Sequence, residues 1–232
     1  MRRHVSVEPS PKRVPWLKVA LVVGALVVGA GVGIGVALAR SSGSPGQNLG
    51  AGSDPGTTFP AGTRKAPDFE LRDQSGRVIS MRSLRGRPVL IAFIDPVCRN
   101  LCPLEAKMLN DAASALPAAS RPTIVAVSVN PWNQTQADLR LDRAKWHLVP
   151  EWRWALGSYP SLSKVWSQYA IGVQVHTKTL AGVTIHTVDH TEAAYVIDPS
   201  GYERALFLYP YRSEDVVNAV RRVSGRGSSS QR

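Results

Sequence analysis

Cysteine is scarce in this 232-residue chain. There are two, Cys98 and Cys102, separated by Arg99, Asn100 and Leu101. A lone pair so spaced is a redox couple, part of a metal chelate, or a structural bridge. Charge is sparse as well, at 19% of residues against 44% hydrophobic ones, which excludes a disordered polyelectrolyte. Acid is the rarer sign, with 17 Asp plus Glu against 28 Lys plus Arg and a net charge of +11. The basic excess does not point to nucleic acid, because the aromatic residues are not interleaved with basic stripes.

Charge is missing altogether from residues 19–39, VALVVGALVVGAGVGIGVALA. At about 1.5 Å per residue such a helix reaches roughly 30 Å, the thickness of a bilayer core. It is longer than the roughly 7 to 15 apolar residues of a cleaved signal peptide. No cysteine lies near its end to carry a lipid. Arg2, Arg3, Lys12, Arg13 and Lys18 precede it, so the positive-inside rule leaves residues 1–18 in the cytoplasm and exports the rest. The expectation is a single-pass protein of the cell membrane with an extracytoplasmic domain. Residues 40–63, rich in Gly, Ser and Pro, read as a flexible tether holding that domain roughly 25–30 Å from the bilayer. Residues 225–232 read as a disordered tail. Residues 64–224 are enough for one domain with its own core.

Within that domain the element types alternate. Residues 66–71 and 78–81 read as a short hairpin turning at Ser75-Gly76. The continuous apolar run 88–94 marks a strand buried on both faces. A helix is expected from Pro103, with Leu104, Met108, Leu109, Ala112 and Leu116 on its inner side. A second buried strand covers 123–129, and helices are expected over 135–146 and 160–170, on either side of a Trp-rich stretch. Residues 174–187, polar and β-branched, read as a hairpin insertion. Residues 193–197 and 204–208 form a hairpin around Asp198-Pro199-Ser200-Gly201, followed by a helix over 214–223. This is an α/β fold with a mixed β-sheet flanked by helices.

The cysteines fall in the loop that leaves the first central strand and enters a helix. There the helix dipole and free backbone N–H groups favour thiolate. If that loop is itself helical, the Cα atoms stand about 6.2 Å apart, within reach of a disulfide but beyond its usual 5.5–6 Å. Two thiolates at this spacing suit a soft metal, Cu(I) or, less well, Zn(II). A disulfide closing so small a loop would add little stability.

Several further motifs accompany the pair. Pro67-Asp68-Phe69-Glu70-Leu71, Cys98-x-x-x-Cys102-Pro103, Ser128-Val129-Asn130-Pro131, Leu156-Gly157-Ser158, Tyr169-x-x-Gly172-Val173 and Val188-Asp189-His190-Thr191 are followed by Tyr195-Val196-Ile197-Asp198-Pro199-Ser200-Gly201. Over residues 64–224 the chain resembles the Sco/SenC family, membrane-anchored copper chaperones of thioredoxin-like fold. The resemblance implies that Cys98, Cys102 and His190 bind one copper ion. It also implies a client, the cytochrome c oxidase subunit that carries the copper A centre. The chain departs from the family's usual pattern at Asp95-Pro96-Val97, where Thr-x often precedes the first cysteine. No proline follows Cys98, and Asn130 stands where Asp is common. An acidic Asp95 beside two thiolates is expected to raise their pKa by like-charge repulsion.

Of the other histidines, His4 falls in the cytoplasmic segment and His147 in the Trp-rich stretch. His176 and His186 lie in the hairpin insertion, with His186 the substitute ligand. Only His190 directly precedes a buried strand, whose start should lie beside the cysteine loop. A metallochaperone rather than an enzyme is the leading expectation. The alternative is a thiol-disulfide oxidoreductase or peroxidase of the same fold, with Cys98 attacking and Cys102 resolving. Such reductases place a cis-proline beside a Cys-x-x-Cys pair, yet residues 174–198 contain no proline.

Overall fold

The apolar run expected to be a central strand is buried at every position as β4 (Val89–Ile94). The structure, a computed structural model, describes residues 56–224. The basic segment 1–18, the apolar stretch 19–39, the first part of the tether and the tail 225–232 lie outside the described residues. Among the described residues no helix is long and apolar enough to cross a membrane.

In chain order the elements are β1 (Thr57–Thr58), β2 (Glu70–Arg72), β3 (Val78–Ser80), β4, α1 (Leu101–Ser114), β5 (Thr123–Ser128), α2 (Gln136–Lys145), β6 (Trp152–Ala155) and α3 (Tyr159–Gln168). β7 (Val173–Leu180), β8 (Val183–His190), β9 (Ala193–Ile197), β10 (Glu203–Leu208) and α4 (Ser213–Ser224) complete the domain. Six strands form one mixed sheet in the order β1-β10-β9-β4-β5-β6. β4 runs parallel to β5 with Ile94 opposite Ser128, and antiparallel to β9 with Ala92 opposite Ala194. Alternation along β4 feeds two cores. Leu90, Ala92 and Ile94 face α1 and α4, while Val89, Ile91 and Phe93 face Leu162 and Trp166 of α3. A fully buried side chain of this kind contributes roughly 1.5–3 kcal/mol. A sheet covered by helices on both sides follows directly from strands with no polar face.

Three differences from the sequence expectations have physical causes. β6 was hidden in the Trp-rich stretch: Trp152 and Trp154 point into the core and pack edge-on at 6.0 Å. Residues 57–59, expected in the tether, pair with β10 and close the sheet edge. Helix α1 starts at Leu101, with Pro103 in its first turn, where no intrahelical acceptor is lost. Its inward face runs Cys102, Glu105, Ala106, Leu109, Ala112 and Ala113, whereas Leu104, expected inside, is 48% exposed. The phase is set by Cys102 pointing inward.

The hairpin insertion forms as β7–β8, a separate two-stranded sheet. Its turn places Ala181 at φ 49° and Gly182 at φ 81°. Two left-handed residues make the turn whose twist matches the flanking strands.

Candidate metal centre

The loop after β4 is built around Asp95. Its carboxylate accepts N–H groups from Val97 (3.0 Å) and the Asn130 side chain (3.1 Å), and its carbonyl accepts the Cys98 N–H (3.1 Å). Asp95 and Asn130, the two departures from the family pattern, are thus partners, buried together where β4 and β5 end side by side. The carboxylate of this buried pair stands at position 95 and the amide at position 130.

This loop carries Cys98 ahead of the helix. Asn100, the residue flanking α1, has φ −117° and ψ −85°, so the four-residue spacing is not one helical turn. Cys98 is half-buried, Cys102 is buried in the first turn of α1, and both are free thiols. The Cys98 thiol is drawn down to about 6, chiefly by a hydrogen bond from the Cys102 thiol, and further by N–H groups of Asn100 and Cys102. Burial and the charge of Asp95 oppose the shift. Asn100 Oδ1, 2.8 Å away, accepts the S–H and is the contact that favours the protonated form. Asp95 raises the Cys98 pKa as expected, but the donors prevail and the net shift is downward. Its repulsion is present but is the weakest of five influences. Cys102 is pushed the other way by its hydrogen bond to Cys98 and by burial.

Strand β9 starts beside the end of β4, and β8 delivers His190 there. Its Nε2 lies 3.5 Å from the Cys102 sulfur, across 88 positions of sequence. Its Nδ1 stands 3.2 Å from the Thr191 carbonyl, which can only accept, so Nδ1 carries the proton and Nε2 offers its lone pair. Burial lowers the pKa of His190, keeping the ring neutral. The Thr191 N–H donates to the Gly172 carbonyl and the Gly172 N–H donates to the Thr191 hydroxyl, which pins the end of β8.

His186 lies further out on β8, stacked on Trp132 at 4.2 Å and paired with the Thr177 hydroxyl. His176 pairs with Asp189 at 2.8 Å. Both are engaged away from the cysteines.

Sequence reasoning missed Glu192. Donor atoms of Cys102, His190 and Glu192 lie within 4.8 Å of one another, while Cys98 stands outside that group. Burial and the nearby Cys98 charge raise the Glu192 carboxyl to about 7. The sequence shows only an acid two positions after His190 and directly before the apolar run of β9. Sulfur, imidazole nitrogen and a carboxylate oxygen converging on one point form a donor set suited to copper or zinc.

No curated protein sequence matches the chain. Solved structures with the same fold include Bradyrhizobium japonicum ScoI with copper bound, at 23% identity over 68% of this chain and 99% of that one, TM-score 0.57. Apo Sco1 from Thermus thermophilus matches at 21% identity over 75% and 98%, TM-score 0.62. BsSco, a member of the Sco family of cytochrome c oxidase assembly proteins in which a disulfide switch was identified, matches at 20% over 75% and 98%, TM-score 0.54. The SCO1/SenC family profile covers residues 58–225, which takes in the whole sheet from Thr58 onward and every residue of the candidate site. The chain belongs to the SCO1/SenC family.

Proposed function

We propose that this chain is a membrane-anchored, extracytoplasmic copper chaperone. It holds one copper ion through Cys98, Cys102 and His190 and passes it by ligand exchange to the oxidase subunit that carries the copper A centre. Residues 19–39 serve as the anchor, 40–55 as the tether, and the domain works close to the bilayer. The observation that carries this reading is the 3.5 Å approach of His190 Nε2 to the Cys102 sulfur, with the imidazole already in the tautomer a metal needs. Two thiolates favour Cu(I), and a neutral imidazole serves either oxidation state. Copper changes hands without changing charge when each departing ligand is replaced by one from the client.

Titration of the full chain with Cu(I), against a competing chelator under reducing conditions, tests the reading. One copper per chain is expected, and His190→Ala should weaken it by at least about 10-fold, the lower end of what supporting groups alone cost. A parent chain that binds no copper, or a variant that binds as tightly as the parent, would refute it.

A second reading, thiol-disulfide exchange, is favoured by the split between the two thiols. Cys98 near 6 is a thiolate at neutral pH and can attack a client disulfide. Cys102 would then resolve the mixed disulfide, leaving Cys98–Cys102 oxidised and the client reduced by two electrons. Alkylation of the metal-free chain should show one reactive thiol whose rate rises with a midpoint near pH 6, and Cys98→Ala should remove it. A midpoint above pH 8 would sink this reading.

A further inference from the structure

Two neighbours fix the backbone that presents Glu192. The Thr191 N–H donates to Gly172, and the Glu192 carbonyl accepts the Tyr209 N–H at 3.1 Å. The carboxylate is held facing the Cys102 sulfur and the His190 ring, and its Oε2 is buried without a hydrogen-bond partner. A buried acceptor left without a donor costs roughly 1–3 kcal/mol. Here it also points at a sulfur that becomes an anion when a metal binds. A cation between the two relieves both penalties. Oxygen is moreover a harder donor than thiolate, so it favours the higher charge of Cu(II) over Cu(I).

We infer that Glu192 donates a carboxylate oxygen to the copper site beside Cys98, Cys102 and His190, and that this oxygen gives the site a preference for oxidised copper. The inference rests on the copper-binding reading above. In the metal-free arrangement the converging donors are Cys102, His190 and Glu192. Cys98 completes the set by giving up its contact with Asn100 Oδ1. Cu(I), the softer and less charged ion, would draw on the two sulfurs and the imidazole and less on the oxygen, so Glu192 makes affinity depend on the oxidation state of the copper supplied.

The test uses the full metal-free chain, kept anaerobic and given no more than one equivalent of metal. Affinities for Cu(I) and Cu(II) are measured separately, with the electron paramagnetic resonance spectrum of the Cu(II) form. Glu192→Gln should weaken Cu(II) by about 10-fold or more, leave Cu(I) within about threefold, and change the copper hyperfine splitting. Glu192→Asp, which keeps the carboxylate, should fall between Gln and the parent. An unchanged Cu(II) affinity and spectrum in Glu192→Gln would overturn the inference while leaving the chaperone reading intact. Equal loss of both oxidation states would also overturn it, making Glu192 a positioning residue. Failure of the parent to bind either ion would overturn both readings together.

Discussion

Cys102→Ala is expected to abolish copper binding, lowering Cu(I) affinity by more than about 100-fold, beyond the 10- to 100-fold typical of outer supporting groups. Cys102 is the one residue that every other part of the site touches. Its sulfur lies 3.5 Å from His190 Nε2, belongs to the cluster with Glu192, and supplies the largest influence on Cys98. It stands at the start of the buried face of α1. Cys98→Ala removes a thiolate too, but leaves sulfur, nitrogen and oxygen converging, so that variant should retain more Cu(II) binding than Cys102→Ala. Chelator competition on both variants decides it. An affinity within tenfold of the parent for Cys102→Ala would mean that the donors are organised around another atom. The same substitution should return the Cys98 thiol toward its ordinary range, because the hydrogen bond that lowers it most is gone.

Central strands were readable because burial on both faces leaves a continuous apolar run, and β4, β5 and β9 all carry one. The β7–β8 hairpin was readable because residues 174–187 are polar and rich in β-branched side chains, which favour strands over helices. β6 was not, since tryptophan at Trp152 and Trp154 reads equally as helix, strand or loop until a sheet edge is there to receive it. The phase of α1 was missed for a related reason. Leucine was taken as the inward marker, but Leu104 faces out while Glu105 faces in, and composition gives no warning of a buried acid.

Much the same holds at the metal centre. The cysteine spacing and Asp189-His190-Thr191 identified the three ligand candidates without coordinates. The Asp95–Asn130 exchange was visible only as two separate departures 35 positions apart, and their hydrogen bond gives them one meaning. Glu192 escaped because proximity between a carboxylate and a sulfur 90 positions earlier depends on sheet register, which the ligand motif does not encode.

Glu105 gives rise to the largest expected effect on stability. It is fully buried on α1, accepts a hydrogen bond from the Tyr211 hydroxyl at 3.1 Å, and leaves Oε2 without a partner. Burial, and then the nearby Glu192, push its carboxyl from an ordinary value up to about 8. The folded state therefore keeps the proton through a range where the unfolded chain has already released it. Below about pH 4.5 both states are protonated and the stabilisation is complete. Between there and about pH 8 the folded state binds more protons than the unfolded one, so stability falls as pH rises. Above that range the loss is complete and the curve levels. One such group contributes a slope of at most about 1.4 kcal/mol per pH unit. Asp142 and Glu192, both raised to about 7, act in the same direction. Cys98, lowered to about 6, and His190, lowered by burial, act in the opposite sense over part of this range. Urea unfolding of the reduced, metal-free parent and of Glu105→Gln, side by side at pH 5, 6.5 and 8, therefore isolates the downward slope that Glu105 contributes. Glu105→Gln keeps an acceptor for Tyr211 but cannot ionise, so it should flatten that slope and make the variant relatively most stable at pH 8. An identical slope in parent and variant would mean that Glu105 ionises in place, with its charge accommodated by the surrounding helices.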